Sequence, residues 1–190
     1  MNEKKVEEIS ALKLALELCQ KAHEAWIKGN TLDALSSYEQ ALEIFSELGR
    51  LTEMANVLEK IGDIYQLRQK FDQALRAYKA CLDICENFED EISTSIIAEK
   101  IVFAYKEKGN YAKMIPYLHR ILEIAEKYRD PHRAGRALTG LGDAYLHLGK
   151  VDSAKEAYSL ALKIFKGMGA IEQTKLLEEH LKALEKNESS

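Results

Sequence analysis

The stretch TGLGDAYLHLG, residues 139–149, carries Gly140, Gly142 and Gly149 in a run that otherwise has helical periodicity. Glycines spaced as in GLGDAY could cradle a phosphate on backbone N–H groups. That fingerprint needs a strand before it, a helix after it and an acidic residue about 20 positions on. Here both flanks read as helix, and Gly142 has a counterpart in Gly62. Close helix packing is the favoured reading, with Ala154 as the residue crossing Gly142, Gly149 ending the helix in a turn, and Gly140 incidental. No nucleotide or other cofactor is expected.

The remaining reactive side chains are equally unpromising for catalysis. His23, His119, His132, His147 and His180 show no HExxH or other metal-ligand spacing. Cys81 and Cys85 form CxxxC on one helix face, and Cys19 makes the count odd. Reduced, packed thiols in a cytoplasmic protein are expected. With no nucleophile elbow and no P-loop, no catalytic residue and no metal site is assigned, and the chain is not expected to be an enzyme.

The elements that carry these residues follow from composition. With 46% apolar and 31% charged residues, the chain has a core-forming mixture. Its 27 basic against 31 acidic residues provide no basic field for nucleic acid. No apolar run approaches the roughly 18–20 residues that cross a bilayer. The opening MNEKKVEEIS has no apolar core or cleavage site, so no secretory signal is expected. Only Pro116 and Pro131 interrupt stretches rich in Leu, Ala, Glu and Lys, an all-α composition.

The chain repeats every 40 residues. Leu42, Leu82, Leu122 and Leu162 are each followed two residues later by isoleucine, at 44, 84, 124 and 164. A small-residue column runs through Ala22, Gly62, Val102 and Gly142, and a second through Ala34, Ala74, Met114 and Ala154. Between them lies a turn column of Gly29, Gln69, Gly109 and Gly149, followed by Tyr38, Tyr78, Leu118 and Tyr158. Val57, Leu58, Ile61, Ile64 and Tyr65 have the spacing of one helix face, and Leu75, Tyr78, Leu82 and Cys85 supply the next after a break at RQKF. Polar segments such as ELGRLTE and NFEDEIS separate the repeats, and Asp130 with Pro131 reads as a helix start.

LGDAYLHLGKVDSAKEAYSLAL, residues 141–162, closely resembles the tetratricopeptide repeat, whose signature orders Leu-Gly, Tyr, Gly, Ala, an aromatic and Ala in this way. The family's usual repeat has about 34 residues. A 40-residue repeat is similar to those of kinesin light chain, the spindle-orientation adaptors and the Rap-like proteins, and implies two lengthened helices. The resemblance implies an all-α, right-handed superhelix (α-solenoid) of four helix-turn-helix repeats plus a C-terminal capping helix. Its repeats are expected at about 11–50, 51–90, 91–130 and 131–170, with a helical extension over 2–10, a cap over 171–186 and a frayed tail at 187–190. The whole forms one array over 1–186. Lys182 takes the small-residue column's place in the cap, where no partner helix is expected. In the third repeat Val102 and Met114 replace the small pair, so its two helices should stand further apart.

The resemblance also implies binding in a groove lined by the first helix of each repeat. Mapped onto this sequence, that face holds His23 and Trp26, then Asn56, Glu59 and Asp63, then Glu99 and Phe103, then Arg136 and Asp143. Leu16, Cys19, Gln66, Ile96, Lys106, Thr139 and Leu146 lie beside them. The carboxylates are either a feature for a protein or peptide with basic residues beside an apolar anchor, or a solvated face. The carboxylate clamp of chaperone-binding members is absent. The expected function is a non-catalytic protein-interaction adaptor or scaffold; a ligand- or peptide-responsive regulatory module and a self-associating scaffold are the alternatives. Val6 and Ile9 either mediate a weak homodimer or cap one end of a monomer.

Overall fold

In a computed structural model the described residues are 3–188, with side chains described to 186. They form α1 (Glu3–Ile27), α2 (Thr31–Glu47), α3 (Leu51–Leu67), α4 (Phe71–Asn87), α5 (Glu91–Glu107), α6 (Tyr111–Lys127), α7 (Pro131–His147), α8 (Val151–Met168) and α9 (Ile171–Glu188). No strand occurs among the described residues. The fold is an all-α repeat array. α1 runs unbroken through the expected extension and first helix. Residue 2 lies outside the described residues, as do residues 189–190 and the side chains of 187–188 in the tail expected to fray.

The sequence imposes a rhythm shorter than its repeat. Helices α2 to α7 each have 17 residues, and each begins 20 after the last. At the end of each of the first eight helices one residue takes a left-handed backbone: Gly29, Gly49, Gln69, Glu89, Gly109, Arg129, Gly149 and Gly169, with φ between 54° and 78°. The next N–H then donates back to a carbonyl five residues earlier, as Lys70 does to Tyr65 O at 2.8 Å and Lys150 to Tyr145 O at 2.9 Å. This closure satisfies the last carbonyls of the helix and stops it. Two 17-residue helices and two such turns account for the repeat of 40.

The chain divides into two compact units, residues 1–97 and 98–190, with the boundary inside α5. In the first unit α1 packs on α2, α2 on α3 and α3 on α4. Ala22 and Ala34 are wholly buried there, and Tyr38 and Phe45 fill the space around them. In the second unit α6 packs on α7, α7 on α8 and α8 on α9. Lys182 on α9 is exposed.

Both units use the same packing device on their first-helix glycines. A Cβ at Gly62 would lie 2.3 Å from a ring carbon of Tyr78, and one at Gly142 would lie 2.4 Å from ring carbons of Tyr158. Each ring occupies the space a side chain would need. Each hydroxyl then donates at 2.8 Å to the carboxylate one residue on, Tyr78 to Asp63 and Tyr158 to Asp143. This corrects two expectations. The group closest over Gly142 is Tyr158, not Ala154, although Ala154 and Ala74 are fully buried. Gly140 is not incidental, because a Cβ there would lie 2.8 Å from Leu118 Cδ2.

The expected start of α7 is present. Asp130 accepts from Arg133 N at 2.9 Å and Pro131 opens the helix. Pro116 sits inside α6 and is exposed, so the helix continues through it.

Candidate partner-binding surfaces

Each unit contains one cavity between its helices that brings predicted site residues together. In the first unit a cavity of about 230 Å³ takes Asn56 and Glu59 from α3. Cys81, Ile84 and Cys85 of α4 provide apolar wall, with Phe88 beyond the helix end and Ile96 on α5. Phe88 is 55% exposed and so stands open to a ligand. The charged residues among its lining, Glu59 and Asp90, are both acidic.

Asp90 is held in place by its own helix. It accepts from Ser93 N at 3.1 Å at the start of α5. The Ser93 hydroxyl and then the Ser93 N–H hold its carboxyl below the usual range. Burial pushes the Cys85 thiol up, and Cys81 Sγ donates to Ala55 O at 3.3 Å. None of the three cysteines is in a disulfide.

The second unit's cavity, about 190 Å³, takes Glu99, Phe103 and Lys106 from α5 and Arg136, Gly140 and Asp143 from α7. Its wall is Val102, Leu118, Ile121 and Ala137. Here the carboxylates lie in pairs with cations. Glu99 is met by Arg133 Nε at 3.2 Å and by Arg136 at 3.4 Å. Asp143 receives Lys106 Nζ at 3.1 Å on one oxygen and the Tyr158 hydroxyl on the other. Ion pairs this exposed add little stability, but they make the rim mixed in sign.

The other predicted residues go elsewhere. Trp26 and Cys19 are half-buried against the first unit's core, while His23 is exposed. Asp63 and Gln66 accept from the Tyr78 hydroxyl, at 2.8 and 3.3 Å, and line neither cavity. His147 stacks on Tyr111 with ring centroids 3.8 Å apart. Phe88, Asp90 and Arg133 were not among the expected residues. Phe88 and Asp90 lie in NFEDEIS, and a phenylalanine in an otherwise polar connector was the available signal.

Among the described residues no group of three or more His, Cys, Asp or Glu side chains could hold a metal ion. No described helix is long and apolar enough to cross a membrane.

Paired helices closed by repeated left-handed turns, with side chains gathered in cavities beside first helices, define a helical repeat protein built for contact. The sequence matches the tetratricopeptide repeat family over residues 25–87 and 93–167, and the chain belongs to that family. It is 25% identical to the Tonsoku-like protein of Bos taurus over 128 residues, 67% of this chain and 9% of that protein. It is 26% identical to the alpha-soluble NSF attachment protein of Dictyostelium discoideum over 92 residues, 48% of this chain and 32% of that one. The chain thus matches under a third of the length of either relative. Among solved structures, the apo form of RapI superposes with a TM-score of 0.81 at 17% identity, covering 98% of this chain and 54% of RapI, a likeness of fold.

Proposed function

We propose that this chain is a non-catalytic interaction module that binds a segment of another protein. In this reading the first unit's cavity takes an apolar side chain of the segment, and Glu59 and Asp90 engage an adjacent lysine or arginine. The carrying observation is the union of an apolar wall, Ile84, Cys85 and Ile96, with lining charges that are acidic alone. Charge complementarity of this kind sets specificity and speeds association. Three cysteines, none in a disulfide, suit a cytoplasmic location, which belongs to the same proposal.

Asp63 is a poor position at which to test this, since its removal would strip Tyr78 of an acceptor. Glu59→Lys is the cleaner variant. Peptides selected from a random 12-residue display library against the whole chain should carry Lys or Arg within two residues of an apolar side chain. E59K should weaken the best of them about tenfold or more, since close charge pairs across an interface couple by about 1.5 kcal/mol or more, measured at a temperature where its melting curve shows it folded. Acidic selected peptides, or equal binding by E59K, would overturn the proposal.

A further inference from the structure

The third repeat departs from its neighbours at three positions that act together. Repeats two and four hold the trio Gly62, Asp63, Tyr78 and the trio Gly142, Asp143, Tyr158, in which the ring covers the glycine and the hydroxyl reaches the carboxylate. The third repeat has Val102, Phe103 and Leu118 in those places. The ring, its seat and its acceptor are all exchanged, and these three residues all line the second unit's cavity. The cavity beside this repeat holds about 190 Å³ of space. An apolar cavity of about 150 Å³ is enough to admit benzene.

We propose that this cavity binds an aromatic side chain presented by a protein partner. The walls suit a planar ring. Ala137 gives a low wall on α7, and Leu118, seated over Gly140, gives an apolar one. Phe103, 45% exposed, offers a ring for an edge-to-face or offset contact. Lys106 and Arg136 line the same cavity and bring cations to the ring's negative face. They pair there with Asp143 and Glu99. The site lies in a different unit from Glu59 and is tested independently of it.

The probe is p-cresol, the side chain of tyrosine, titrated into the whole methyl-labelled protein beside its ring-saturated analogue 4-methylcyclohexanol. p-Cresol should shift the methyl signals of Val102, Leu118 and Ile121 saturably and bind at least about fivefold more tightly than the saturated analogue, the margin a cation–π contact supplies. The triple variant V102G/F103D/L118Y restores the neighbouring trio, and in it the Ile121 signal should no longer respond. Equal binding of the two compounds, shifts that avoid these three residues, or an unchanged Ile121 response in a folded triple variant would overturn the proposal. The first two outcomes are read on the native protein and do not depend on the variant's folding.

Discussion

An added methyl at Gly142 would lie 2.4 Å from two ring carbons of Tyr158, whereas at Gly149 it would meet nothing within 4 Å but would sit on a backbone with φ of +73°. The two alanine substitutions therefore separate packing from conformation. Gly149→Ala should cost about 1 kcal/mol, the penalty of a left-handed backbone for an L-residue. Gly142→Ala should cost about 2–3 kcal/mol, near the top of the range for overpacking. Tyr158 is 1% exposed and hydrogen-bonded, so it has little room to yield. Urea midpoints measure both, and a larger loss at Gly149 would contradict the assignment. The glycine columns were legible in the sequence as packing and turn positions. The ring over Gly142 was not, because the 40-residue period aligns equivalent positions without saying which columns touch.

Tyr78 and Tyr158 give the same packing a pH signature. Burial first, and then the neighbouring Asp63 and Asp143, push both phenols well above the ordinary value. The unfolded chain gives up these protons near pH 10 while the folded chain keeps them, so the unfolded state binds fewer protons there. Their contribution is whole below about pH 10 and declines as pH rises beyond it. Phe at both positions should flatten the loss of stability between about pH 10 and pH 11.5, read from urea midpoints at each pH. An unchanged slope would count against buried phenols.

At the scale of the element, ends are set more sharply than faces. Each of the first eight helices stops in a left-handed turn, and three of those turns, at Gln69, Glu89 and Arg129, use a residue other than glycine. The sequence shows the turn column clearly where it is glycine and hides it where it is not. Helix starts depend on caps in two known cases, Asp90 on α5 and Asp130 on α7. Asp130→Ala should cost about 1 kcal/mol in a urea titration, the usual worth of an N-cap. No loss would mean that Pro131 alone suffices to start α7. Asp90 shows why part of the site escaped sequence reading. First-helix faces follow from a 3.6-residue periodicity, but a cavity also takes its wall from the second helix and the turn after it, and periodicity does not weigh those against each other.

At the scale of the whole molecule, one pattern written four times is locally edited, and the edits mark the candidate sites. The fold was legible because the repeats share turn, small-residue and aromatic columns, from which the third departs at Val102, Met114 and Leu118. Function was legible only as a class, since the residues that differ between repeats carry the specificity. In the second unit Glu99 and Asp143 meet Arg133, Arg136 and Lys106, and the first unit's cavity sets Glu59 and Asp90 beside Ile84, Cys85 and Ile96. Binding of a basic and apolar protein segment beside Glu59 is thus the central claim. The direct measurement is methyl NMR of the whole chain with a library-selected peptide carrying Arg beside Leu. Ile84, Ile96 and Ile97, all lining the first unit's cavity, should shift together and return toward their free positions when the arginine is replaced by glutamate. Shifts confined to other methyls, or a response indifferent to that replacement, would contradict the account.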